Sequence, residues 1–176
     1  MQYVKIRGLF FVLLLTIVFI TACSKDSDNP VDTGNPGGVI ANAQVNVKIN
    51  GGGFDNQEVT LIEGFSSYMP EDSETYAAFW GKTGSDSIYV AFQFNGNKKG
   101  SFDWRPENYD AAVIIMDNNN AMLYLATSAG KTSVTNYGAV GEKIEGTISG
   151  KLTETSSMDD ITVSGSFSIV RAPDAE

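Results

Sequence analysis

Residues 88–94 read Ile-Tyr-Val-Ala-Phe-Gln-Phe. Ile88, Val90, Phe92 and Phe94 recur at every second position, the period of a strand with one buried face. The same grammar repeats on both sides of this stretch and sets the fold class. Upstream, residues 75–82 (TYAAFWGK) form an aromatic-rich strand, joined to it by a turn at Thr83-Gly84-Ser85-Asp86. Residues 64–74, with Pro70 and several acids, read as a loop. Before them, 54–63 is a returning strand centred on Val59, Leu61 and Ile62. It follows a Gly51-Gly52-Gly53 turn and an alternating strand through Val45, Val47 and Ile49.

Downstream, Asn95-Gly96-Asn97 is a turn, and 98–104 (KKGSFDW) is a short extended piece ending before Pro106. Residues 111–116 are continuously apolar, as in a strand buried on both faces. Asp117-Asn118-Asn119-Asn120 turns this run into 121–127, and 131–137 follows after Gly130. Two alternating strands close the chain, one through Ile144, Gly146, Ile148, Gly150 and Leu152, the other through Ile161, Val163, Gly165, Phe167 and Ile169. Glycines on an inward face mark bulges or a closely packed neighbour. No stretch has helical periodicity. The expectation is all-β: a single domain over residues 43–172, built as an antiparallel β-sandwich or closed β-barrel of about nine or ten strands.

The N-terminal segment has a different character. Lys5 and Arg7 precede a twelve-residue apolar run, 9–20 (LFFVLLLTIVFI), broken only by Thr16. That is short of the ~20 residues needed to span a bilayer and fits the core of a secretory signal. Ile20-Thr21-Ala22-Cys23 carries the only cysteine and resembles the lipobox of bacterial lipoproteins. The resemblance implies cleavage between Ala22 and Cys23, with lipid on the Cys23 thiol. Two or more acyl chains, each CH₂ adding about 0.8 kcal/mol, anchor stably. With Cys23 acylated, no disulfide is available to the domain.

Residues 23–42 are rich in Ser, Asp, Asn, Pro and Gly and bury too little apolar surface to order themselves, as in a flexible acidic linker. About 19 such residues reach at most about 65 Å. Ser24-Lys25-Asp26-Ser27-Asp28-Asn29 resembles the start of Bacteroidota lipoproteins displayed on the outer membrane, and implies that location, with exposure at the cell surface.

Charge narrows the partners. Removing residues 1–22 takes away two of the 12 basic residues and none of the 21 acidic ones. Nucleic acid binding needs clustered Lys and Arg and is not expected. Acyl chains, rather than surface charge, are the expected membrane contact.

The second half has a further likeness. The segments 97–104 (NKKGSFDW), 134–141 (VTNYGAVG), 144–150 (IEGTISG) and 161–167 (ITVSGSF) resemble uncharacterised lipoprotein domains of Bacteroidota over roughly residues 43–171. The resemblance implies a β-sandwich on a lipid tether and transfers no catalytic residue.

The sequence contains no histidine. Ser-His-Asp and Cys-His catalysis and the common zinc sites are therefore not available to it. It also lacks a phosphate-binding glycine loop, and no cofactor is expected. Glu71, Asp72 and Glu74 cluster in one loop and Asp159 and Asp160 in another; paired carboxylates can hydrolyse glycosides, although loop acids are commonly plain solvated charge. Asp117 with Asn118 and Asn119 offers hard oxygen ligands for calcium, and equally good hairpin-turn chemistry. Trp80, Trp104 and Tyr109 could form a platform for a sugar ring, or the tryptophans could pack in the core. Asp86-Ser87-Ile88 resembles the short Bacteroidota O-glycosylation sequon.

The function expected is a non-enzymatic binding or accessory module on an outer-membrane lipoprotein, with a glycan or an envelope protein as partner. The alternatives are a histidine-free glycan-active enzyme using paired carboxylates and a purely structural coat protein.

Overall fold

A computed structural model describes residues 40–83, 86–104, 111–117, 122–125 and 129–175. All lie in the compact unit Asn35–Glu176. The described residues are all-β, with every strand pairing antiparallel in one curled sheet. Cys23 and Ala22 lie outside the described residues, as do the signal segment and most of the linker.

The strands are β1 (Ile40–Gly51), β2 (Phe54–Met69), β3 (Glu74–Thr83), β4 (Asp86–Asn95), β5 (Gly100–Asp103), β6 (Ala111–Asp117), β7 (Met122–Leu125), β8 (Gly130–Tyr137), β9 (Lys143–Glu154) and β10 (Asp160–Val170). In ladder order they run β10-β1-β2-β3-β4-β6-β7-β9, with β8 and β5 continuing from β9, and β10 also pairs with β9. One edge of β9 carries β10 along almost its whole length. The other carries β8 up to Gly150 and then β7 at Thr153 and Glu154. The curl satisfies backbone groups that a flat sheet would leave along open edges.

The alternating residues read from the sequence are the core. Val45, Val47 and Ile49 on β1, Ile88, Val90, Phe92 and Phe94 on β4, Ile144, Ile148 and Leu152 on β9, and Ile161, Val163, Phe167 and Ile169 on β10 are all buried. Phe92 and Phe167 pack at a tilt with centroids 4.5 Å apart, and Phe79 stacks on Phe92 at 5.9 Å. β4 and β10 share no ladder, so this contact crosses the interior; the curled sheet packs onto itself.

The glycines on inward faces answer to close neighbours. A Cβ on Gly165 would overlap the Asn46 carbonyl and meet Val47 Cγ1 at 2.8 Å, and one on Gly146 would meet the Phe167 ring at 2.7 Å. Gly51, Gly52 and Gly53 all have positive φ (100°, 54° and 93°), as the tight β1–β2 turn requires.

Three boundaries differ from the sequence reading. β1 begins at Ile40, inside the expected linker. The expected loop at 64–74 is mostly strand: β2 continues to Met69 and β3 starts at Glu74. Local polarity suggested a loop, but Ser66 and Ser67 are buried and donate to Val170 O (2.9 Å) and Pro173 O (3.1 Å) near the C-terminus. Ile62, expected in the strand's apolar centre, is 68% exposed. Two consecutive exposed residues, Ile62 and Glu63, reset the alternation of β2 there.

Replacing Gly165 by Ala forces a methyl into the β1 backbone. It should cost about 1–3 kcal/mol, the usual range for overpacking, measured as a lower denaturant midpoint with an unchanged m-value.

Candidate functional site

Of the three aromatic residues proposed as a platform, the structure buries one, places one on the opposite face, and leaves Tyr109 outside the described residues. Trp104 follows β5 and is 1% exposed. Its backbone N–H donates to Gly130 O at 3.0 Å, and its indole Nε1–H donates to the Thr132 hydroxyl at 2.8 Å. The ring lies on the cross-strand pair Gly130–Gly150, where a Cβ on either glycine would fall inside the indole. Trp104 is therefore a core residue with no face open to a sugar. Its polar nitrogen is satisfied internally, as a buried tryptophan requires.

Trp80 points the other way. On β3, Thr75, Ala77 and Phe79 face the core, so Tyr76, Ala78 and Trp80 face outward. On β4 the outward set is Tyr89, Ala91 and Gln93. The ladder aligns these as Trp80–Tyr89, Ala78–Ala91 and Tyr76–Gln93. From β2 the rows gain Glu63 beside Trp80, Phe65 beside Ala78 and Ser67 beside Tyr76. The backbone register carries them on to Met116, Ile114 and Ala112 of β6. The result is a pair of buried alanines, Ala78 and Ala91, flanked by Trp80–Tyr89 on one side and Tyr76–Gln93 on the other. Elsewhere the outward face is polar: Gln44, Asn46, Lys48 and Asn50 on β1 and Thr162, Ser164 and Ser166 on β10 are exposed.

The electrostatics of this aromatic face favour neutral recognition. Glu63 Oε2 accepts from Trp80 Nε1 at 2.9 Å and fixes the indole. Burial pushes the Tyr89 phenol well above its ordinary range. Tyr76 is raised too, first by burial and then by the neighbouring Tyr89 and Glu74. Both hydroxyls stay protonated at physiological pH. Rings and neutral hydroxyls can stack and hydrogen-bond. Tyr76, Tyr89 and Phe65 escaped the sequence reading. The available signal was the second alternating set, Tyr76-Ala78-Trp80, interleaved with the core set and free of charge.

The acidic candidates serve turns. Glu71 and Asp72 are exposed in the β2–β3 turn. Asp160 pairs with Lys151 and accepts from the Thr153 hydroxyl at 2.8 Å, and Asp159 is exposed. Glu154, not singled out from sequence, organises the β9–β10 turn. Its carboxylate accepts from Ser156 N–H at 3.0 Å, from the Ser156 hydroxyl, and from Ser157 N–H. These bonds, Ser157's first, hold its pKa at about 2. Asp117 closes β6, while Asn118 and Asn119 lie outside the described residues. Among the described residues no three His, Cys, Asp or Glu side chains group as a metal site. Ser87 of the sequon is half-buried at the start of β4.

Two outcomes check this geometry. Trp104→Phe should destabilise by about 1–3 kcal/mol, since it strands the buried Thr132 hydroxyl, whereas Trp80→Phe should change the denaturant midpoint far less. Glu154 has a depressed folded pKa, so its contribution is present above its ordinary value of 4.5 and lost as pH falls towards 2. The Ser157 amide shift should therefore titrate near pH 2, and Glu154→Gln should abolish that titration.

No protein-family model, no curated protein and no solved structure matches this chain.

Proposed function

We propose that this chain is an outer-membrane lipoprotein of a Bacteroidota-like envelope, displayed at the cell surface and anchored by lipid on Cys23. Its β-domain is a non-enzymatic binding or accessory module. Residues 1–22 direct export, 23–42 tether, and 43–172 form the module. The finer architecture adopted is a closed barrel: following the ladders from β10 through β1, β2, β3, β4, β6, β7 and β9 returns to β10, which supports closure within one sheet.

The observation that carries the binding reading is the contrast between the two faces of the sheet. The interior is occupied by stacked rings and branched aliphatics. The outward face of β2–β4 gathers half-buried Phe65, Tyr76 and Trp80 beside the buried Tyr89, with Glu63 and the exposed Lys82 on the same face. Sugar rings and apolar protein segments are the chemistry that such rings recognise.

Protease treatment of intact native cells, beside a Cys23→Ala variant, tests the anchor. Loss of the domain from whole cells, and release of the variant from the membrane fraction, is the expected result. A variant that stays membrane-bound would refute lipid anchoring. For the binding face, a glycan array on the purified chain should give hits whose affinity falls about tenfold, ~1.4 kcal/mol, in Trp80→Ala. Hits insensitive to Trp80, Tyr76 and Tyr89 substitutions would place recognition elsewhere.

A further inference from the structure

β2 is longer than its neighbour. β1 pairs with it only as far as Gly64, opposite Ile40, and β3 pairs with its other edge from Glu63 to Met69. On the β1 side, no strand among the described residues lies beside the stretch Phe65–Met69. The C-terminal segment after β10 lies there instead. Ala172 N–H donates to Ser66 O at 3.2 Å and Ala175 N–H to Tyr68 O at 2.9 Å. The Ser66 and Ser67 hydroxyls donate back to Val170 O and Pro173 O. The two backbone donors are three residues apart with Pro173 between them, so this strap caps the edge without becoming a ladder strand.

The strap is lightly held. Ala172, Pro173, Asp174 and Ala175 bring no large apolar side chain to the contact, and the last three are exposed. Its ionic fastening joins Arg171 to Asp174, with the Arg171 guanidinium 5.3 Å over the Tyr137 ring. Arg171 Nε is buried with no hydrogen-bond partner among the described residues, a penalty that swinging outward relieves.

What the strap covers is a strand edge without charge. Gly64-Phe65-Ser66-Ser67-Tyr68-Met69 is uncharged, contains no proline and carries two good strand formers, Phe65 and Tyr68, features compatible with adding to a like segment. Two chains of net charge −9 repel across most of their surfaces, and this edge is a place where they can approach without opposing charges. Glu63 on one side and Pro70-Glu71-Asp72 on the other limit pairing to these few residues.

We propose that the C-terminal strap is an autoinhibitory edge guard, and that its release lets a second copy of this chain pair antiparallel along Phe65–Met69. Ser66 of one copy stands opposite Tyr68 of the other, and the reverse, across a two-fold axis. Proteolytic trimming of the exposed tail is a direct way to release it.

Sedimentation velocity on three forms of the full chain tests this. The wild type should be monomeric. A variant ending at Arg171 should double in mass with concentration, and so should a full-length Ala172→Pro/Ala175→Pro variant, which loses both strap donors. The second variant keeps the test open if the truncation does not fold, as judged by circular dichroism. Adding Tyr68→Pro should restore the monomer. A residue's N–H and C=O point to the same strand edge, so the Tyr68 N–H faces the strap side and its loss leaves the β3 ladder intact. Folded variants that stay monomeric, or a dimer that survives Tyr68→Pro, would overturn the proposal.

Discussion

The structure depends on β10 being held along both edges. Its residues pair with β1 from Ile161 to Ser168 and with β9 from Asp160 to Val170. One strand thereby joins the first strand of the sheet to the hairpin that ends the chain, and the sheet must curl to allow it. That curl brings Phe167 onto Phe92 and closes the apolar faces of both halves over one core. Because β1 and β10 stand at opposite ends of the chain, the ladder between them carries a large loop-closure cost, which the local hairpins do not share.

Within that frame, the two tryptophans meet opposite fates for identifiable reasons. Trp104 lies where β8 and β9 place Gly130 and Gly150 directly opposite each other, and the missing side chains leave room for an indole. Thr132, on the same strand as Gly130, takes its N–H. Trp80 has a core neighbour, Phe79, which claims the inward position by alternation, so its own ring turns out and is fixed by Glu63. The domain thus uses one tryptophan to fill its interior and presents the other at its surface.

Polar groups buried in the interior depend on partners remote in the chain. The Thr75 hydroxyl donates to Gly96 O at 2.7 Å, which leaves the Tyr137 hydroxyl to donate to Thr75 Oγ1 at 2.8 Å. Contact with Thr75 and burial act oppositely on Tyr137, whose phenol is raised on balance, burial being the larger effect. Ser66 is satisfied by Val170 in the same manner. These bonds stitch β2, β3, β8 and the C-terminal segment together at places where local sequence looks like turn or loop.

Period-two alternation determined the strands around Val45–Ile49, Ile88–Phe94, Ile144–Leu152 and Ile161–Ile169, and the glycine run at 51–53 determined a turn, because both signals are local. The apolar run, Ile20-Thr21-Ala22-Cys23 and the acidic segment 24–29 are equally local, and the lipoprotein reading starts from them. Tertiary structure alone decided that Gly64–Met69 is strand, since the partners of its serines lie about a hundred residues away. It alone also separated Trp80 from Trp104 and assembled the outward face of β2–β4. Those outcomes rest on ladder register and on which glycines come to face each other, and neither is written in any one stretch of the chain.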